Sequence, residues 1–251
     1  MNDPLNRFST RVENYVKYRP TYPAGVLDVL KSDCGLKENS VIADIGSGTG
    51  ILSRLFLSHG DRVFGVEPNA AMRTAGEQLL KPFGRFTSID ATAEATTLES
   101  DSVAFITAGQ AFHWFDREKA KLEFARILKP EGYVVLIWNE RRLDSTPFLR
   151  AYEKLLLEYG TDYEKVRHEN VTREIAQFFA PQTFTLKSLE NSQALNFEAL
   201  RGRVCSSSYA PEPGSANFEP MLAQLQEIFD ANSREGTVII EYDTRVYYGH
   251  L

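Results

Sequence analysis

Val41-Ile42-Ala43-Asp44-Ile45-Gly46-Ser47-Gly48-Thr49-Gly50 is the stretch that decides the fold. A short β-branched run ends in alternating glycines, and a helix-period segment follows over residues 51–58. An apolar run of that length, bounded by glycine, predicts a strand buried on both faces. Glycines between a strand and a helix let the backbone approach a ligand closely, and the helix N-terminus favours a negative group. Dinucleotide sites ask for G-x-G-x-x-G, whereas Gly46-Ser47-Gly48-Thr49-Gly50 is followed by Ile51. The G-x-G-x-G form, with Asp44 close before it, suits a ligand without a pyrophosphate.

The same alternation continues outward. Strands are expected at 63–66, 85–89, 103–107 and 133–138, with a helix over 69–80 capped by Asn69. Asp116 is expected to cap a further helix that Pro130 stops, with Leu122, Ala125, Ile127 and Leu128 as its apolar face. Strand–helix alternation implies a parallel sheet covered on both sides. After Asn139 the texture changes: 148–159, 173–179 and 218–230 read as helices, 184–189 as extended, and 211–214 as a loop between helices. In the tail, Val238, Ile240, Tyr242, Val246 and Tyr248 alternate with Glu241, Asp243 and Arg245. That pattern predicts a half-exposed antiparallel strand near the end of the sheet, entered through a tight Glu235-Gly236 turn. Neither an internal repeat nor a linker is visible, so residues 1–251 are expected to form one domain: a helical cap over 1–35, a ligand-binding half over 36–138, and further helices with the last two strands over 139–251.

Composition narrows the function classes. With 251 residues, 43% of them hydrophobic, the chain can bury a sizeable core. Its 28 Lys and Arg against 34 Asp and Glu give a net charge of −6 without a basic stripe, a poor match to a polyphosphate backbone, so nucleic acid is not expected as a partner. Cys34 and Cys205 fit neither a disulfide framework nor a zinc spacing, and no metal is expected. No apolar stretch approaches a membrane span, and Met1-Asn2-Asp3-Pro4 lacks the features of a signal peptide, so a cytoplasmic protein is expected.

Candidate chemistry gathers where the strands end. Glu67 stands 23 residues after Asp44, at the end of the second strand. A carboxylate there can accept both hydroxyls of a ribose, although a solvated strand-end glutamate is the bland alternative. Asp90, after the third strand, can accept from the exocyclic amine of an adenine, with small Ala91 leaving space for the ring; an N-cap for a following helix is an equal alternative.

Asp44 to Gly50, Glu67, Asp90-Ala91, and a fourth strand ending in Gln110-Ala111-Phe112-His113-Trp114-Phe115 together resemble a class I S-adenosylmethionine-dependent methyltransferase. More narrowly, the chain resembles the small-molecule branch that includes trans-aconitate methyltransferase-like proteins. Tyr15-Val16-Lys17-Tyr18-Arg19-Pro20-Thr21-Tyr22-Pro23 and Leu128-Lys129-Pro130-Glu131-Gly132 fit that branch too, with Glu131 standing where the family usually has glycine. The resemblance covers roughly residues 8–138. It implies a Rossmann-like α/β fold whose seven-stranded, mostly parallel sheet has an antiparallel last strand and helices on both faces. The cofactor S-adenosyl-L-methionine would lie across the ends of the first, second and fourth strands.

Carried onto this sequence, the resemblance implies that Gly46, Ser47, Gly48 and Gly50, with Asp44 before them, face the methionine part of the cofactor. Glu67 would hold the ribose, Pro68 and Asn69 would lie beside the adenine, Asp90 and Ala91 would meet its edge, and Gln110 would close the pocket. Tyr15, Tyr18 and Arg19 would belong to a segment packed over the cofactor, Arg19 pairing with the methionine carboxylate or an acidic substrate. The two tyrosines can equally be an amphipathic stripe that holds a helix down.

A sulfonium methyl is already electrophilic, so in-line displacement chiefly needs a nucleophile held close and collinear. Phe112, Trp114, Phe115 and Trp138 are candidate walls of a dry pocket, though buried aromatics are often plain core. His113 is the candidate to orient the acceptor or to serve as its base; His59, His168 and His250 have structural or surface contexts. Arg141, Arg142 and Tyr209 are polar candidates on the substrate side. The fourth strand is followed by neither Asn/Asp-Pro-Pro-Tyr nor Pro-Cys, which disfavours amino methylation of nucleobases or glutamine and cytosine C5 methylation. Three function classes remain: a small-molecule methyltransferase, in part of the family acting on a carboxylate oxygen; a nicotinamide-dependent oxidoreductase, disfavoured by the glycine spacing; and a cofactor-binding regulatory or interaction protein that has lost catalysis. Oligomeric state stays open.

Overall fold

The computed structural model describes residues 12–161, 163 and 171–251. His168 and residues 1–11 of the expected cap lie outside them. Seven strands form one sheet: β1 (Val41–Ile45), β2 (Arg62–Val66), β3 (Phe86–Ile89), β4 (Val103–Gly109), β5 (Leu128–Arg141), β6 (Thr185–Leu195) and β7 (Val238–Gly249). Their order is β3-β2-β1-β4-β5-β7-β6. β1 to β5 pair in parallel, while β7 runs antiparallel to both neighbours, β5 and β6. The expected α/β sheet with an antiparallel last strand is therefore present. The tail strand fills the space between β5 and the edge strand β6. From β1 the chain winds outward to β2 and β3 on one side and to β4 and β5 on the other, which opens a crevice at the carboxyl ends of β1 and β4.

Helices cover both faces because the strands are apolar on both. On β1, Ala43 and Ile45 enter one core with Phe124, Ile127, Phe178 and Phe179, whereas Ile42 enters the opposite core with Val26, Leu30, Leu52 and Phe56. The first core is closed by α5 (Arg117–Ile127) and α7 (Val171–Phe179), the second by α2 (Gly25–Cys34), α3 (Ile51–His59) and, through Leu80, α4 (Ala70–Leu80). A third core joins α6 (Pro147–Tyr159), α8 (Phe197–Cys205) and α9 (Phe218–Asn232) to the first half of β7. No helix among the described residues is long and apolar enough to cross a membrane.

Several local expectations hold for the stated reasons. The Asn69 side chain accepts from Met72 N at 3.0 Å and caps α4, and Asp116 caps α5 through Lys119 N. Arg234 and Thr237 bridge across Glu235-Gly236, both with positive φ, at the entrance to β7. Others need correction. On α5 the buried residues are Ala120, Phe124 and Ile127, while Leu122 is 74% exposed and Ala125 also faces solvent. The helix ends at Ile127 and β5 begins at Leu128, so Pro130 lies inside an extended segment instead of stopping the helix. No helix separates β3 from β4, so Asp90 caps nothing. β6 runs to Leu195, because its polar residues pair with β7 over eleven positions and leave their outer side in water. Unforeseen α8 carries Gly202 in its interior, a weak helix signal that tertiary packing overrides.

That packing sets the roof of the crevice. α1 (Val12–Tyr18) lies on α8 with the Tyr18 ring against Gly202, where an added Cβ would sit 2.1 Å from the ring. Tyr18 Oη donates to Glu198 at 2.9 Å, and Gln193 Nε2 donates to Tyr18 O at 2.8 Å. Arg19 Nη2 donates to Ser206 O at 2.8 Å. At Glu131 the φ of +62° explains why glycine suits that turn.

Candidate functional site

Three adjoining cavities lie along the carboxyl ends of β1, β2, β4 and β5, and Tyr15 and Gln110 line all of them. The first, beside Glu67, has a volume of about 200 Å³ and apolar walls from Pro68, Met72, Ala93, Ala111 and Phe115. A narrow second one, about 50 Å³, lies over Gly46 to Thr49 and is also lined by Asp44, Arg19 and Arg203. The third, about 510 Å³, extends beneath Trp114 and His113 to Arg141, Arg203 and Tyr209.

The glycine loop follows from the strand that precedes it. Gly46 N and Ser47 N both donate to Val66 O, at 2.8 and 3.1 Å, which folds the loop over the end of β2. Gly46 has a φ of +66°, and a Cβ there would lie 2.6 Å from Ala111 Cβ, so the loop and the β4 end close on one another only without a side chain. Beneath it, Asp44 is 1% exposed and accepts from Ser53 Oγ at 2.6 Å and Thr107 Oγ1 at 3.1 Å. Burial lifts its carboxyl to about 6, against the pull of those two hydroxyls and with a small push from Glu67. Glu67 is also buried and raised by burial; it accepts from Asn69 N and Gly48 N, both at 2.8 Å. A carboxylate has about four acceptor directions, so two remain for a ligand in the adjoining cavity.

Gln110 holds the centre. Its φ is +56°, a conformation costing an L residue on the order of 1 kcal/mol or more, and it is fixed by Gln110 N to Ile137 O and Asn139 N to Gln110 Oε1, both 2.9 Å. Asn139 in turn bonds Thr21 O, Asn191 and Thr244, tying β5, β6 and β7 to the segment after α1.

Of the residues expected at the cofactor, Asp44, Gly46, Ser47, Gly48, Glu67, Pro68, Asn69, Gln110 and Arg19 line these cavities. Four do not. Gly50 is the N-cap of α3 and faces Leu80. Asp90 turns outward, 70% exposed, and pairs with Arg73 at 2.8 Å, while Ala91 is packed in the core. Their neighbours Thr92, Ala93 and Glu94 reach the cavity instead, because the chain turns inward just after β3. Tyr18 is buried between α1 and α8, the holding-down role.

On the substrate side, Tyr15, His113, Trp114, Arg141 and Tyr209 line the largest cavity, whereas Trp138 is core, edge-on to Phe112 and Tyr247. Phe112 is fully buried as well. Arg141 is ion-paired to Glu153, bonded to Tyr163 Oη at 2.7 Å and set over the Tyr152 ring at 5.0 Å. Arg142 is occupied by Asp243 and Glu190. His59 pairs with Asp61 and His250 meets Gly132 O, both structural. Arg203 and Tyr22 were not foreseen. Arg203 belongs to the helix that sequence pattern missed; Tyr22 was visible only as the end of the Tyr15-to-Pro23 segment, and its hydroxyl abuts Gly109.

A parallel sheet with an antiparallel last strand, a glycine loop after β1 and a buried acid after β2 define a class I methyltransferase site. A family model described as "Methyltransferase domain" matches residues 43–136. An uncharacterized methyltransferase-like protein of Schizosaccharomyces pombe is 35% identical over 228 residues, covering 89% of this chain and 86% of that protein. An uncharacterized methyltransferase of Mycobacterium tuberculosis is 30% identical over 209 residues, 80% of this chain and 76% of its own. Among solved structures, a proposed type II methyltransferase from Anaeromyxobacter dehalogenans shares the fold with a TM-score of 0.70 at 20% identity, covering 93% of this chain and 98% of that one. The chain belongs to the class I S-adenosylmethionine-dependent methyltransferases.

The residues present fit the cofactor that this family implies. In the narrow cavity, Thr49 Oγ1 and Arg19 Nε are buried without a partner among the described residues, and Asp44 and Arg19 both line it, an acid and a base as a zwitterionic amino-acid group requires. The apolar cavity with Glu67 at its edge suits a ring and a ribose diol.

Proposed function

We propose that this protein moves a methyl group from S-adenosylmethionine to a carboxylate oxygen of a small anionic molecule, with the whole chain acting as one catalytic unit. The observation that carries the reading is the division of the cleft by charge: Asp44 and Glu67 lie on the glycine-loop side, and Arg19 and Arg203 on the other. When bound, the cofactor supplies a methyl on a sulfonium, an electrophile that needs no activating acid. Glu67 would hold the ribose, Asp44 and Arg19 the amino-acid end, and Pro68, Met72 and Ala93 would exclude water from the ring. Gln110, Tyr15 and Trp114 stand where the cavities meet and would align the acceptor with the departing sulfur. Methyl transfer to a carboxylate oxygen would give an ester without moving a proton, so no residue of the chain would need to act as a base. A net charge of −6 supports small molecules over nucleic acid as acceptors.

A screen of metabolites for release of S-adenosylhomocysteine, run on wild type and Glu67→Ala in parallel, tests this. Wild type is expected to turn over carboxylic acids, and Glu67→Ala to bind cofactor more weakly by about 1.5–3 kcal/mol, the scale of hydrogen bonds to a charged group. Equal cofactor affinity in the two proteins removes Glu67 from the site. Release with neutral acceptors alone removes the carboxylate.

A further inference from the structure

The sheet ends in two unlike edges. β3 is four residues long, a short edge that offers little to another strand, whereas β6 runs for eleven residues and pairs with β7 without a register shift. An exposed edge presents a row of unpaired N–H and C=O groups, and sheets usually blunt one with proline, a bulge or free charges. β6 contains no proline, and its charges are already engaged within the chain: Lys187 lies 3.7 Å from Asp33, and Glu190 3.3 Å from Arg142. Arg142 N donates to Glu241 O at 2.9 Å, so the odd-numbered residues of β7 turn their backbone polar groups to β5 and the even-numbered ones to β6. The register then sets the odd-numbered residues of β6 against β7 and leaves the backbone of Leu186, Ser188, Glu190, Ser192 and Ala194 turned outward. Of these outward N–H groups, only that of Ser192 is taken among the described residues, by Asn191 Oδ1 at 2.9 Å.

An extended backbone fills such an edge, and β6 of a second copy is complementary to it. About a two-fold axis the two strands run antiparallel, and only outward-turned residues exchange hydrogen bonds, so the axis passes through a residue position. An axis at Lys187 or Glu190 sets like charges directly opposite, and one at Ser188 sets Leu186 against Glu190. An axis at Leu189 sets Ser188 against Glu190 and Lys187 against Asn191, so each charge meets a neutral polar group. It also opposes Leu189 to its own copy at a non-hydrogen-bonded position, where Cα atoms come within about 4.5 Å and side chains are closest. Leu189 is half-buried on the core beneath α2, where an added Cβ at Gly25 would lie 3.5 Å from its Cδ1. A second leucine there extends that core from one copy into the other.

We propose that the β6 edge is a homodimer interface, pairing antiparallel with β6 of a second copy about an axis at Leu189 and joining two seven-stranded sheets into one. β6 runs parallel to β5, so the two clefts lie at opposite ends of the joined sheet and both stay open. This interface is independent of the chemistry in the cleft. Sedimentation of the full chain over a concentration series, with Ser188→Pro and Ser188→Ala alongside, is to be combined with oxidative crosslinking of Leu189→Cys and Lys187→Cys. Wild type should be dimeric. Ser188→Pro removes an outward N–H and no bond to β7, a place where an edge strand accepts proline. It should weaken the dimer by roughly tenfold or more through lost backbone bonds, and Ser188→Ala should leave it intact. All variants should bind S-adenosylhomocysteine like wild type, which shows that the sheet has folded. Leu189→Cys should form a disulfide between copies, since an on-axis pair lies within disulfide reach, whereas wild type and Lys187→Cys should not. Should Ser188→Pro fail to fold, the crosslink decides. A monomeric wild type leaves the edge to residues 1–11 or to another protein and overturns the interface. So does a dimer that survives in folded Ser188→Pro, or one in which Leu189→Cys does not crosslink.

Discussion

The two sides of the cleft are made of different materials. On the side of β1, β2 and β4, the site consists of strand ends and backbone: Gly46 and Ser47 fold onto Val66 O, and Glu67 is held by Gly48 N and Asn69 N. On the side of α6, α8 and β7, it consists of long side chains from distant segments, such as Arg19 bonded to Ser206 across 187 positions. A site built from backbone tolerates no added bulk, whereas one built from side chains is retuned by single substitutions. Such a division lets a cofactor cradle stay fixed while acceptor choice changes.

Gly46→Val should break the cofactor side outright. A φ of +66° and a Cβ 2.6 Å from Ala111 Cβ leave no relaxed position for valine. Backbone strain and overpacking together are expected to cost about 2–5 kcal/mol, with S-adenosylhomocysteine binding lost. Urea unfolding and calorimetry check both. Tyr209→Phe, on the opposite wall, should leave cofactor affinity unchanged. If Gly46→Val binds cofactor like wild type, the cradle is not set by the backbone.

Asp44 sharpens the comparison through pH. Its carboxyl sits at about 6 in the folded protein, against 3.8 ordinarily, because it is buried beneath the loop. Between those values the folded protein keeps a proton that the unfolded chain has lost. The contribution is therefore fully present below about 4 and disappears as pH rises through 6. Asp44→Asn removes this dependence while still bonding Ser53 and Thr107, the amide oxygen accepting from one hydroxyl and the amide nitrogen donating to the other, which reverses. Relative to the variant, wild type should lose on the order of 2–3 kcal/mol of stability between pH 4 and 7. Parallel pH dependence in the two proteins would show that the strand-end acid is not desolvated.

The same division explains what was legible in sequence. β1, β2, β4 and β5 and the Glu67 position are encoded by local runs and fixed spacing, because parallel strands buried on both faces leave continuous apolar stretches. Asp90 and Ala91 were placed correctly in the chain but not in space: two residues past β3 the backbone turns, and Thr92 to Glu94 take the inward positions. Trp138 is read equally well as wall or core, and only its contacts with Phe112 and Tyr247 decide. Arg203 escaped because Gly202 weakens the helical pattern of α8, yet that glycine is what admits the Tyr18 ring and seats the roof. Arginines that meet in one cavity from the segment after α1, from β5 and from α8 share no sequence spacing at all.

The smallest expected effect lies where the two sides meet. His113 lines the largest cavity in a short turn after β4, its ring 4.6 Å from that of Trp114. A carboxylate acceptor is already deprotonated at neutral pH, so His113 has no proton to remove and serves to orient. His113→Gln keeps a polar side chain of similar reach, and its rate should fall less than about tenfold, roughly 1 kcal/mol of barrier. Wild type and variant should both show flat rate profiles from pH 6 to 8. A hydroxyl or ammonium acceptor predicts otherwise: an acid limb in wild type, abolished by the substitution, with a loss of about 10²–10⁴-fold. Rates of both proteins across that range, under saturating cofactor, separate the two cases. An abolished acid limb would remove the carboxylate from the reacting position.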